Sequence, residues 1–140
     1  MERLARYLVG LVGLHVAVTV VHAAAHVALL VLPAGIDLVF IVAVILIGPV
    51  AAVGLLRSYR APAAALVAAF LGASSAYGFY NHFLVSGPDH VSIVWSQPWT
   101  PVFVISGAAL GVLEIAAAIV AVFVLRNVAR TPSAPAERPA

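Results

Sequence analysis

Five histidines stand in this chain, and three of them, His15, His22 and His26, lie inside one unbroken apolar stretch, HVAVTVVHAAAH. A helix turns about 100° per residue, so steps of seven and four bring all three within an arc of roughly 40°, with Thr19 beside them. At about 1.5 Å of rise per residue, His22 and His26 stand about 6 Å apart along the axis and His15 about 10 Å below His22. His22 and His26 can therefore grip one ion or cofactor together, while His15 needs another role.

The other polar residues in apolar surroundings are few. Tyr77, Tyr80, Asn81 and His82 close a third apolar run, Glu114 lies within a fourth, and Asp89 and His90 stand in the connection between them. Ionisable groups inside a membrane helix are costly and usually face the bundle interior. Gly107 and Gly111 share the Glu114 side, and small residues allow a neighbouring helix to come close. Glu114 is therefore expected to face the histidine stripe, at about the depth of His22.

Three chemistries fit these residues. The first is a transition-metal site. His22 and His26 with Glu114, His82 or His90 supply three or four nitrogen and oxygen ligands, a set suited to zinc, copper or iron. Glu114 can alternatively fix an imidazole tautomer from behind. The second is b-type haem held between His26 and His82. The depths counted for these two residues differ by roughly 8 Å, and no Arg lies nearby to hold propionates. The third is a proton path through His15, Thr19, His22 and Glu114, which would make the chain a proton-coupled carrier or a channel component. A plainer role is helix-to-helix hydrogen bonding in a non-catalytic subunit of a homo-oligomer or larger membrane complex. No triad of catalytic spacing and no Gly-rich phosphate loop is present, so a catalytic residue is not assignable.

The elements that must hold these residues follow from composition. The 140 residues are 64% hydrophobic and 9% charged, with mean hydropathy +1.15, where soluble domains carry about 25% charge. This implies an integral membrane protein in the lipid bilayer, an all-α four-helix bundle with four transmembrane helices. The spans are expected at about 7–32, 38–56, 62–83 and 102–125, with an outer loop at 84–101 and a disordered tail at 127–140. Pro33-Ala-Gly35 breaks the first run, Asp37 is expected to cap the second, and Gly48-Pro49 implies a kink that frees a carbonyl. Tyr77, Tyr80, Trp95 and Trp99 suit the interfacial belt.

Arginine supplies every basic residue: Arg3 and Arg6 before the first run, Arg57 and Arg60 between the second and third, and Arg126, Arg130 and Arg138 after the fourth. The other two connections hold no arginine, and their charged residues are Asp37 and Asp89. The positive-inside rule then predicts a multi-pass protein of the cell membrane with both termini cytoplasmic. The first run is longer than a signal-peptide core and is read as a span. The pI near 9.5 does not imply nucleic-acid binding, because the arginines form no patch. With no cysteine, disulfides, thiolate metal sites and iron–sulfur clusters are excluded.

Overall fold

The structure is a computed structural model that describes residues 2–130. It is all-helical, with four helices long and apolar enough to cross a membrane: α1 (Glu2–Ala28), α2 (Ile36–Leu55), α3 (Arg60–Leu84) and α4 (Thr100–Ala129). α4 packs along both α3 and α1, α2 packs on α3, and α2 touches α1 more lightly. α1 and α3 thus face each other diagonally across the bundle. Most side chains on the outer faces are large and apolar, among them Val20, Ile105 and Val112, as expected where the solvent is hydrocarbon.

Two helices contain π-helical stretches, Ile41–Ile47 in α2 and Tyr80–Leu84 in α3. Such stretches are uncommon and tend to mark functional positions, because the extra residue in the turn re-aims side chains. In α2 the π stretch runs directly into Gly48-Pro49. Pro49 has no N–H and so cannot bond the carbonyl four residues before it, that of Ile45. Gly48 is required as well, since a Cβ there would lie 2.8 Å from the Phe70 ring. In α3 the π turn carries His82.

The core is divided by chemistry. At the end holding both termini, Leu8, Val12, Ala52, Val67, Leu71 and Ala121 form a continuous apolar cluster. Arg60 pairs with Glu2 at its rim. At the loop end the apolar cluster is small, built on Ala25, Leu29, Val94 and Phe103, and the polar groups gather beside it. Along α4, Phe103, Ser106, Leu110, Glu114, Ala117, Ala121 and Val124 are buried, a series of three- and four-residue steps that lays one stripe against the neighbours.

Several sequence expectations change here. The first run is not helical to its end: α1 stops at Ala28, and Leu30 takes a left-handed φ of 57°. Gly35, not Asp37, precedes α2, and Asp37 caps nothing; its Oδ1 accepts a hydrogen bond from the Tyr77 hydroxyl at 3.0 Å. Tyr77, stacked on Phe40, thereby ties α3 to α2. α4 continues through Asn127 to Ala129, into residues expected to be disordered, and residues 131–140 of that tail lie outside the described residues.

Candidate metal centre

His22, His26 and His82 come together, with ligating nitrogens within 4.8 Å of one another. Two come from one face of α1 and the third crosses the bundle from the π turn of α3. His22 Nε2 stands 3.2 Å from His82 Nε2 and 3.2 Å from His26 Nε2. Phe103 closes one side of the cluster, its ring about equally far from all three imidazoles, at 5.0, 5.0 and 4.9 Å between centroids.

The tautomers follow from what each Nδ1 faces. His26 Nδ1 lies 2.9 Å from the Val31 carbonyl and His82 Nδ1 3.1 Å from the Asp89 carbonyl. A carbonyl only accepts, so both Nδ1 atoms carry the proton. His22 Nδ1 lies 2.9 Å from Ser106 Oγ. Ser106 has one hydroxyl proton and directs it to the carbonyl of Val102 at 2.6 Å, so its oxygen accepts from His22. All three rings therefore donate through Nδ1 and present a bare Nε2. The Nε2 contacts cannot be hydrogen bonds between neutral rings, since neither partner has a hydrogen to give. They are lone pairs brought close together, with all three ligating atoms within 4.8 Å. A proton can bridge one such pair; a cation bonded to all three satisfies the set. Ligands about 2.0–2.1 Å from a tetrahedral ion lie about 3.3 Å from each other, close to the spacings observed.

Local structure sets each partner in place. The left-handed turn at Leu30 lets Val31 N–H bond the His26 carbonyl at 3.0 Å, and the Val31 carbonyl returns to hold the His26 ring. The loop after α3 is fastened by Val91 N–H to the His82 carbonyl at 3.0 Å, which lays Asp89 over the His82 ring. The Asp89 carboxylate is 3.7 Å from the same Nδ1. Gly107 makes room for His22: a Cβ there would lie 3.2 Å from His22 Cε1.

Glu114, placed beside His22 by the sequence count, is elsewhere. Its carboxylate accepts from Ser74 Oγ and lies 3.5 Å from His15 Nδ1. The error came from the end of α1. Leu29–Leu32 form a turn, so counting depth from Leu32 set His22 too deep, and from Ala28 it is His15 that matches Glu114. The His26–His82 depth difference disappears for the same reason, and the two ring centroids are 5.5 Å apart. Haem between them is nevertheless a poor fit. A macrocycle needs the plane between its axial rings clear, and His22 Nε2 stands there. His90 is absent from the cluster; its Nδ1 accepts from Ser92 N–H at 3.2 Å, leaving its own proton on Nε2. Thr19 donates to the His15 carbonyl at 2.8 Å, a bond within its own helix. The hydrogen bonds thus divide the four-residue proton ladder into a His22 group and a His15–Glu114 group.

Ser106 and Phe103 were missed from the sequence. The signal was there: Ser106, Leu110 and Glu114 follow one another at four-residue spacing, so Ser106 belongs on the Glu114 stripe.

Beyond the histidines lies a cavity of about 540 Å³, lined by all three of them, by Thr19, Ser74, Asp89 and Glu114, and otherwise mainly by apolar side chains. Concave, largely apolar spaces of this size with a few convergent polar groups are characteristic of small-molecule sites. Compared with protein families, characterised proteins and solved structures, the chain has no match. The functional reading rests on its own residues.

Proposed function

We propose that His22, His26 and His82 bind one divalent first-row transition ion, of the zinc, copper or iron type, through their Nε2 atoms. One observation carries this reading: three imidazoles, each facing an acceptor at Nδ1, bring their Nε2 atoms together, that of His22 3.2 Å from each of the other two and all the ligating atoms within 4.8 Å. Holding three lone pairs this close is unfavourable without a cation between them. The partners at Nδ1 are of the kind that orient metal-ligating histidines and raise their basicity.

Three neutral ligands leave at least one coordination position free, the arrangement of sites that bind substrate and not of closed structural ones. Phe103 blocks one side, so the free position faces the cavity. The reading is therefore a membrane-embedded metal centre that takes a small ligand from the apolar cavity. A redox role is open to copper or iron and closed to zinc. The arginine distribution supports both termini on the cytoplasmic side, with the metal centre in the opposite half of the bilayer.

X-ray absorption spectroscopy on metal-loaded protein in detergent tests the geometry. The expected spectrum shows three imidazole nitrogens at about 2.0–2.1 Å and a non-imidazole ligand completing the shell. A shell with fewer than three imidazoles, or one containing the Glu114 carboxylate, would contradict it.

A further inference from the structure

A second polar site sits deeper in the bundle, where His15 and Glu114 meet, and nothing in the metal reading uses it. His15 is fully buried and Glu114 nearly so. His15 Nε2 lies 3.0 Å from the Ile45 carbonyl, the acceptor that Pro49 left without its helical N–H. A carbonyl can only accept, so Nε2 carries a proton. The neutral ring then has a bare Nδ1, which has no hydrogen-bond partner among the described residues and faces Glu114 Oε1 at 3.5 Å.

We propose that His15 and Glu114 together form a proton-binding site, which holds one exchangeable proton between Nδ1 and the carboxylate and opens to the cavity through Glu114. With that proton absent, two acceptors would face each other across 3.5 Å in a low-dielectric interior, with a net negative charge and one hydroxyl to stabilise it. The hydrogen-bonding groups recorded around the pair are committed elsewhere or to the pair itself. From α3, Ser74 already gives its proton to Glu114, and the Tyr77 hydroxyl is given to Asp37. From α1, Thr19 gives its proton to the His15 carbonyl, and His22 is held by Ser106. α2 contributes the Ile45 carbonyl. Among the described residues, no other charged group is paired with either.

Access is one-sided. Glu114 and Ser74 line the cavity and His15 does not. The transfer is an N–H bond breaking at His15 Nδ1 as an O–H bond forms on Glu114, and the carboxylic acid then offers that proton to a lone-pair acceptor in the cavity, a water or a ligand oxygen or nitrogen. His15 is recharged by the reverse step. The site stands independently of the metal centre at the other end of the same cavity.

The test uses full-length protein in nanodiscs, stripped of metal with a chelator, so that failure of the metal reading leaves it unaffected. Histidine ¹⁵N NMR and infrared spectroscopy of the Glu114 carboxyl together count the protons on the pair. At neutral pH the wild type should show either a protonated Nδ1 on His15 or a carboxylic acid at Glu114. In Glu114→Gln, whose amide can donate to Nδ1 and so preserve the packing, that titratable proton should be lost and Nδ1 should report a bare, hydrogen-bonded nitrogen. A bare Nδ1 together with an ionised Glu114 in the wild type would overturn the proposal. Gly111 lines the cavity and has open space around it, so Gly111→Leu should slow hydrogen–deuterium exchange of the pair. Exchange as fast as in the wild type would overturn the cavity route.

Discussion

Replacing Ser106 by alanine removes one oxygen that touches no metal in the proposed centre, yet the hydrogen-bond pattern gives it a large effect. Ser106 Oγ is the acceptor that keeps the His22 proton on Nδ1. In Ser106→Ala that buried N–H loses its 2.9 Å acceptor and is left with the Phe103 carbonyl as a weaker one, and leaving a buried donor poorly satisfied costs about 1–3 kcal/mol. The ring can escape by moving its proton to Nε2 or by rotating, and either withdraws a ligand. Loss of such a supporting partner typically lowers metal affinity about 10–100-fold, which corresponds to about 1.4–2.7 kcal/mol and agrees with the cost of the orphaned donor. Titration against a chromogenic competitor chelator in detergent, with helix content checked by circular dichroism, measures it. The expected result is one ion per chain at 10–100-fold weaker affinity. Ser75→Ala, another serine of the cavity wall but without a histidine partner, serves as the control and should stay within about twofold of wild type. Wild-type affinity in a folded Ser106→Ala would refute the tautomer assignment, and with it the claim that three bare nitrogens converge.

Other outcomes follow from the same contacts. Gly107→Ala places a methyl 3.2 Å from His22 Cε1 and should weaken metal binding about tenfold, whereas Gly111→Ala, with open space around it, should bind as wild type; equal behaviour of the two in the same titration would show that His22 is not held there. His15→Leu strands the Ile45 carbonyl and should destabilise the bundle by about 2–4 kcal/mol. Adding Pro49→Ala supplies that carbonyl with a helical N–H and should restore about 1 kcal/mol; additive effects in a double-mutant cycle of unfolding in mixed micelles would remove the link between these residues. Leu30→Gly relieves a left-handed leucine worth about 1–2 kcal/mol against a glycine entropy cost of about 0.5–1 kcal/mol, so a small gain in thermal stability is expected, and a loss would show that the leucine side chain itself holds the turn.

Much of the bundle is legible in composition and periodicity, because a chain this apolar has few ways to satisfy its backbone in lipid. Pro49 even announces the free carbonyl that His15 takes, although the sequence cannot say which side chain will reach it. The helical geometry of α1 places His22 and His26 together without help from the rest of the chain. What could not be read was depth. The four residues Leu29–Leu32 are as apolar as a helix but form a turn, and that miscount exchanged the partners of Glu114. His82 is a candidate from the sequence, but its meeting with His22 and His26 depends on a π turn, and neither apolar pattern nor propensity distinguishes a π turn from ordinary helix. The acceptors that fix the rings are mostly backbone carbonyls of turns, which carry no side-chain signature at all.

Whether the three histidines hold one metal ion is decided by elemental analysis of protein purified in detergent, after loading with zinc, copper or iron and removal of excess. One ion per chain is expected for at least one of these metals, lost in each of His22→Ala, His26→Ala and His82→Ala and retained in His90→Ala and Glu114→Gln. Folded wild-type protein that retains none of the three metals, or an ion that survives removal of His82 but not of Glu114, would contradict it.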